Sequence, residues 1–132
     1  MRESVSEIIF MKRALALAAR SRGHTRPNPP VGAVVVRDGV VVGEGRHVRC
    51  GADHAEAAAL KSSKRHGGAK GATVYVTLEP CPMCMGAIIN SRLGKVVFGS
   101  KDAKAGACGS VLNMCSYPLN HKPKIESGFM KE

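Results

Sequence analysis

The chain has 132 residues, 44% of them hydrophobic, which is enough for one domain with a core and too few for two. Its twenty lysines and arginines against ten aspartates and glutamates give a formal charge of +10, which favours phosphate-bearing partners such as nucleic acids. With three Phe, two Tyr and no Trp, the composition argues against a broad base-stacking platform for single strands. Nucleic-acid binding would therefore depend on charge and on one pocket.

The apolar stretches are too short for a membrane span, which needs ~20 residues. The N-terminal stretch mixes Glu7, Lys12 and Arg13 into its apolar residues, unlike a signal peptide. Five cysteines in a chain of this type indicate free thiols or metal ligands, and an odd count leaves at least one unpaired. We therefore predict a cytoplasmic protein with no membrane partner and no disulfide scaffold.

The first predicted element is an amphipathic helix over 7–20. Apolar residues recur there at helical spacing, namely Ile8, Met11, Leu15 and Ala18. A proline-rich loop over 21–30 leads to a predicted hairpin with strands over 31–36 and 40–42, joined by a turn at Asp38 and Gly39. We expect Gly43, Gly45 and Gly51 to keep the next segment irregular.

The later elements alternate helix and strand. The sequence predicts a helix over 54–65, a strand over 72–78, a helix over 81–92 with Pro82 in its first turn, and strands over 95–99 and 124–127. Helices that separate strands after an initial hairpin predict an α/β fold with a mixed sheet between helices. No repeat or long linker interrupts this order, so we expect residues 1–132 to form a single domain.

Two short motifs, each at the start of a predicted helix, carry the candidate chemistry. Cys81 and Cys84 are three residues apart, which places both sulfurs on one helical face, near first-turn N–H groups that favour thiolates. His54 supplies a third ligand, and three protein ligands leave the fourth tetrahedral position of zinc for water. Zinc lowers the pKa of its water towards ~7, and Glu56, two residues from His54, is the candidate general acid and base.

The combination is more specific than its parts. A lone C-x-x-C is usually a structural zinc half-site or a redox pair, but H-x-E followed by P-C-x-x-C is the signature of zinc deaminases of nucleobases. Hydroxide attacks the ring carbon that bears the amine, and ammonia leaves. The other cysteines lack such neighbours, so Cys50, Cys108 and Cys115 are interpreted as free thiols or core residues.

At these residues the chain resembles the cytidine-deaminase-like zinc hydrolases over almost all of its length. The run GATVYVTLEPCPMCMGAIINSRLGKVVFG from Gly71, the later KDAKAGACGS and the pair Asn120 and His121 are similar to the bacterial tRNA adenosine deaminases. The resemblance implies a three-layer α/β/α sandwich with a five-stranded sheet, and one zinc per subunit on His54, Cys81 and Cys84. It also implies that Glu56 shuttles the proton, and that a homodimer receives the tRNA anticodon loop and converts the wobble adenosine to inosine.

The N-terminal third resembles a different group, the RibD deaminase domain of riboflavin biosynthesis. The runs RPNPPVG over 26–32 and GRH over 45–47 carry this likeness, and His47 stands where tRNA adenosine deaminases have a substrate-contacting Asn. The alternative is therefore a deaminase of a free base, a nucleoside or a phosphorylated pyrimidine. RibD, however, spaces its two cysteines further apart and normally adds a reductase domain, and neither feature is present here.

Two further points concern RNA binding. The tRNA adenosine deaminases continue past the last strand into a helix that lines the RNA site, and we expect this chain, ending at Glu132, to lack it. A catalytically silent zinc scaffold that binds RNA or a partner subunit is a remote alternative, because it would need no carboxylate such as Glu56 beside the metal.

The resemblance also assigns substrate contacts. Around the base pocket it places Asn28, Pro30, Val31, His47, Ala55 and Leu78, and on a loop beside the substrate strand Asp102 and Lys104. Val31 and Leu78 are equally consistent with core packing, and Lys104 with a solvated charge. Several basic residues of the C-terminal third are candidate phosphate contacts: Arg92, Lys95, Lys101, Lys104, Lys122 and Lys124.

Overall fold

A computed structural model describes residues 5–129 of the chain. Its helices are α1 (Val5–Arg20), α2 (Ala55–Ser63) and α3 (Pro82–Asn90), and its strands are β1 (Gly32–Arg37), β2 (Val40–Arg46), β3 (Thr73–Leu78), β4 (Lys95–Ser100) and β5 (Lys124–Glu126). Two short 3-10 helices cover Lys64–His66 and Met114–Ser116. Among these residues, no helix combines the length and apolarity that crossing a bilayer requires. The expectation that no helix follows the last strand involves residues 130–132, which lie outside the described residues.

The five strands form one mixed sheet in the order β2-β1-β3-β4-β5. Strand β1 is antiparallel to β2 and to β3, whereas β3, β4 and β5 run parallel. Asp38 and Gly39 both have positive φ, as a two-residue hairpin turn between β1 and β2 requires. The predicted mixed sheet and the predicted hairpin turn are confirmed.

Helices cover both faces of the sheet. Helix α1 packs on one face in a cluster made of Met11, Ala14, Leu17, Val34, Val36, Tyr75, Val97 and Phe129. Helices α2 and α3 cover the other face, and their cluster includes Ala55, Ala59, Val74, Val76, Met85, Ile88, Val96 and Phe98. The predicted three-layer α/β/α sandwich is confirmed. The buried stripe of α1 differs from the predicted one in that Leu17 is buried and Leu15 is only partly so.

The expectation that Gly43 and Gly45 interrupt regular structure is wrong, because β2 runs through both and ends at Arg46. A Cβ on Gly43 would lie 2.3 Å from the backbone oxygen of Ala59, and one on Gly45 would lie 2.5 Å from that of Ala55. The two glycines let the backbone of α2 approach the strand directly. This close approach fixes the start of α2 against the end of β2.

Candidate zinc and substrate site

The candidate site residues converge because the ends of three strands and the start of a fourth meet at one edge of the sheet. The parallel strands β3 and β4 both end there, with Leu78 opposite Ser100. Since β1 is antiparallel to β3 and to β2, the start of β1 and the end of β2 reach the same edge, with Gly32 opposite Arg46. Segments far apart in sequence are therefore neighbours in space.

The three predicted ligands form a compact group at this edge. The Nδ1 atom of His54 lies 3.6 Å from the Sγ of Cys81 and 3.4 Å from the Sγ of Cys84. All ligand atoms of the group lie within 4.8 Å of one another. Among the described residues this is the one group of three or more His, Cys, Asp or Glu side chains with metal-binding spacing. Two sulfurs and one imidazole suit zinc and leave one tetrahedral position open.

His54 and Cys81 owe their orientation to the helix starts. Each is the residue before the first turn of its helix, with extended backbone, and neither side chain makes a capping hydrogen bond. Serine, threonine, aspartate or asparagine at such a position typically adds ~1 kcal/mol by capping the helix. The chain forgoes this contribution at both helices, so the side chains remain available to the shared centre.

The thiols are electrostatically prepared for a cation. A hydrogen bond from the Cys84 thiol lowers the pKa of Cys81 to about 5 in spite of burial, and the backbone N–H of Cys84 and nearby His54 act in the same direction. The same shared hydrogen bond, together with burial, raises the pKa of Cys84. The pair therefore holds one thiolate at neutral pH, and a soft cation displaces the remaining proton.

Glu56 lies in the first turn of α2 beside these ligands. The residue is only 4% exposed, and its side chain lines the same cavity as His54 and Cys81. Burial raises the pKa of Glu56 to about 7, with a further contribution from Cys81, while its own backbone N–H and His54 oppose the shift. A carboxyl group with a pKa near neutrality can both accept and donate a proton under working conditions.

A cavity of about 160 Å³ opens onto the ligand group. Six of the eight predicted substrate contacts line it: Asn28, Val31, His47, Ala55, Leu78 and Asp102. Pro30 and Lys104 are not among its lining residues, although their neighbours Pro29 and Ala105 are. A second cavity of about 270 Å³ adjoins the first and shares Asn28, His47 and His54 with it.

Asn28 and His47 form a hydrogen-bonded pair within the cavity. The Nδ1 of His47 lies 3.0 Å from the backbone oxygen of Asp53, a contact in which it must donate. The Nε2 of the neutral ring then accepts from the Nδ2 of Asn28 at 3.3 Å. Thr25 holds Asn28 in turn, since its hydroxyl donates to the Asn28 carbonyl at 2.7 Å. The amide oxygen of Asn28 is available to accept a hydrogen bond from a ligand.

Sequence reasoning missed Glu79, which lines the cavity and is 3% exposed. Its carboxylate accepts hydrogen bonds from a loop that follows β4. The sequence did carry one signal for this residue, an acidic side chain directly after the apolar strand β3. A charge buried at that position needs several hydrogen-bond partners, which indicates a structural or functional role.

The candidate phosphate contacts separate into two groups. Lys95 lies 3.0 Å from Glu7 and 2.9 Å from Glu126, so both neighbours already balance its charge. The remaining five side chains are on the exposed surface: Arg92, Lys101, Lys104, Lys122 and Lys124. The expectation of a phosphate contact is therefore withdrawn for Lys95 and stays a prediction for the other five.

Residues 5–100 match the family described as the cytidine and deoxycytidylate deaminase zinc-binding region. The match covers more than half of the chain and includes His54, Glu56, Cys81 and Cys84. The chain belongs to this family of zinc-dependent deaminases.

Two kinds of relative are similar to this chain. The tRNA-specific adenosine deaminase of Bacillus subtilis (strain 168) is 36% identical over 132 residues, covering 94% of this chain and 81% of that protein. RibD of Haemophilus influenzae is 41% identical over 143 residues, covering 97% of this chain and 38% of that protein, so the chain spans well under half of its length. A solved structure from a study of A-to-I editing by tRNA:A34 deaminases is 34% identical, with a TM-score of 0.80 over 94% of this chain and 100% of that one.

Proposed function

We propose that residues 1–132 act as one zinc-dependent deaminase domain that converts the wobble adenosine of a tRNA anticodon loop to inosine. The observation that carries this proposal is a buried carboxyl group, Glu56, beside a His/Cys/Cys ligand group in a cavity for one ring. The tRNA substrate is supported by the likeness to an A34 deaminase along that protein's full length. The +10 charge, carried partly on exposed lysines and arginines, also favours a polyanionic substrate.

The reaction replaces the exocyclic amine of the base by the oxygen of water and releases ammonia. His54, Cys81 and Cys84 would hold the zinc ion, which when bound would supply Lewis-acid activation of water at neutral pH. Glu56 accepts one proton of the attacking water and passes it to the ring nitrogen next to the reacting carbon. It then takes the proton of the hydroxyl formed at that carbon and passes it to the departing amine, which leaves as ammonia. A pKa of about 7 for Glu56 suits both transfers.

The rest of the cavity orients the base. The amide oxygen of Asn28 accepts a hydrogen bond from a donor on the substrate, while His47 holds that amide in place. Val31 and Leu78 line the cavity with apolar surface that excludes water around the ring. A base in an anticodon loop is already largely unpaired, so moving it into this cavity costs less than flipping it out of a duplex.

A second candidate is a deaminase of a phosphorylated pyrimidine, favoured by the Asn28–His47 pair and the likeness to RibD. In that case the Asn28–His47 pair would contact the substrate's sugar or ring. Four residues of the runs that carry the likeness to RibD line the cavity: Asn28, Pro29, Val31 and His47.

The experiment that separates the two uses zinc-loaded protein on an anticodon stem-loop with adenosine at position 34. Free nucleosides and a phosphoribosylamino-pyrimidine are assayed in parallel for ammonia release. Glu56→Ala should keep its zinc and lose about 10³-fold or more of the activity, because it lacks the proton-transferring group. Glu44→Ala, which removes a carboxylate on β2 paired with Arg13, is the matched control and should keep full activity.

Inosine in the stem-loop that depends on Glu56 would support the tRNA proposal. Ammonia from the pyrimidine alone would replace it by the second candidate. If zinc-loaded protein acts on neither the stem-loop nor the small substrates, the silent scaffold becomes the better description.

A further inference from the structure

Glu79 is a buried carboxylate with no part in the proton transfers described above. It follows β3 directly and precedes Cys81 by two residues. Only 3% of its surface is exposed, so its charge must be balanced by partners within the protein.

All of the polar partners of this carboxylate belong to one loop, residues 101–112. The backbone N–H groups of Asp102, Cys108 and Ser110 donate to it at 3.1, 2.8 and 3.2 Å. The hydroxyl of Ser110 donates a fourth hydrogen bond. A single side chain therefore satisfies three backbone donors of a segment that belongs to no helix or strand.

The loop is in close contact with the segment that carries the metal ligand. The N–H of Ala107 donates to the carbonyl of Pro80 at 2.8 Å. Gly106 lies so close to the Glu79 carboxylate that a Cβ there would be 2.3 Å from its Cδ. The same loop contributes Asp102 and Ala105 to the wall of the substrate cavity.

We propose that Glu79 is a positioning residue that fixes the loop 101–112 against the Pro80–Cys81 segment and so sets how tightly the cavity binds its substrate. Its effect on turnover rests on the proposed deaminase function. Its effect on the loop does not, and the two are measured separately.

The hydrogen bonds that hold the loop 101–112 require a carboxylate at position 79. All four partners are donors, so both oxygens must accept. In Glu79→Gln an NH₂ group replaces one of these oxygens and meets N–H groups that can no longer be satisfied. Ser110→Ala is a milder change, since it removes one hydroxyl and leaves the three backbone contacts intact.

The first arm of the test is amide hydrogen exchange of the zinc-loaded protein. Exchange in 101–112 should be about tenfold faster in Glu79→Gln, while α1 and β1 stay as protected as in the unmodified chain. Glu44→Gln, which changes a carboxylate on β2 far along the chain from this loop, should leave the loop unchanged. If Glu79→Gln does not fold, Ser110→Ala gives the same comparison with a smaller increase. Unchanged exchange in the folded variants would overturn the proposal.

The second arm is steady-state kinetics on the substrate that the unmodified enzyme accepts. Glu79→Gln should raise KM about tenfold, with kcat within about threefold and one zinc retained per chain. A loss of zinc or of kcat at unchanged KM would show that Glu79 supports the metal centre and not the substrate cavity. If the unmodified protein turns over no substrate, the proposed function fails while the exchange arm still decides the role of Glu79.

Discussion

Cys81 has two roles that favour different amino acids. It starts α3 without a capping hydrogen bond, and its Sγ is one of three candidate zinc ligands. Serine is the better capping residue, whereas its hydroxyl does not ionise to bind zinc. The choice of cysteine at this position is explained by the metal and not by the helix.

The variant Cys81→Ser should therefore lose zinc and gain stability in the metal-free state. We expect at least a hundredfold weaker zinc binding, measured by competition with a chelating dye. We expect a metal-free free energy of unfolding higher by about 0.5–1 kcal/mol, measured with urea below pH 5, where the Cys81 thiol is protonated and serine replaces no thiolate interactions. Cys50→Ser, at an exposed free thiol, should change neither quantity. Retention of tight zinc binding in Cys81→Ser would contradict the assigned ligand set.

At the scale of single residues, the sequence predicted the candidate zinc ligands but not Glu79. His54, Glu56, Cys81 and Cys84 carry a local signature, because two helix starts supply all four residues. The partners of Glu79 lie 23 to 31 positions away and are mostly backbone groups, which leave no residue-type pattern. Such contacts become visible only once β3 and β4 are known to be adjacent and parallel.

At the scale of elements, the approach of α2 to β2 depends on the absence of side chains at two positions. Gly45→Ala would place a Cβ 2.5 Å from backbone atoms of Ala55 and Ala59 and push α2 outwards. We expect a loss of about 2–3 kcal/mol in the free energy of unfolding, together with weaker zinc binding, because His54 precedes this helix.

Gly86 provides the matched comparison within α3. A Cβ there meets no atom within 4 Å, so Gly86→Ala adds helix propensity without a clash. The free energy of unfolding should rise by about 0.5–1 kcal/mol. Urea titrations of both variants check the pair, and equal effects would refute the steric explanation.

A second link between elements joins α1 to β2. Arg13 contacts both carboxylate oxygens of Glu44, at 2.5 and 2.8 Å, and this hydrogen-bonded pair lowers the pKa of Glu44. A lowered pKa in the folded state adds stability above the ordinary glutamate value of 4.5, and this stability is lost as pH falls through the folded pKa.

The pH dependence of Arg13→Met tests this link. At pH 7 the variant should be less stable than the unmodified chain by about 0.5–1 kcal/mol, since the pair is partly exposed. The difference should shrink as the pH is lowered below 4.5. A difference that is constant with pH would mean that Arg13 contributes through packing and not through its charge.

For the whole molecule, the order of elements was the most predictable property. Within residues 5–129, hydrophobic periodicity and turn residues located the three α-helices and the five strands, and the largest difference was the longer β2. The error at β2 arose because glycine marks both turns and close packing, and the two cannot be distinguished without the helix that packs there. Lys95 was misjudged for a similar reason, because Glu7 and Glu126 reach it from opposite ends of the chain.

The expected homodimer is also a property of the whole molecule. Met83, in the first turn of α3 next to the second cavity, leaves 64% of its surface exposed. If a second copy covers this surface, Met83→Lys should convert a dimer to a monomer in size-exclusion chromatography with light scattering. Ile9→Lys, on α1 across the sheet and 58% exposed, should leave the dimer intact. A monomeric unmodified protein would refute the expectation directly.

The anchoring of the loop 101–112 has a consequence for how the active site can change. Three of the four hydrogen bonds to Glu79 come from main-chain N–H groups, which every amino acid except proline provides. Position 105 lines the cavity and takes no part in these hydrogen bonds, so it can accept other side chains while Glu79, Gly106 and Ser110 keep the loop in place. This part of the cavity wall can therefore change, in evolution or by engineering, without moving the backbone that surrounds the candidate zinc ligands.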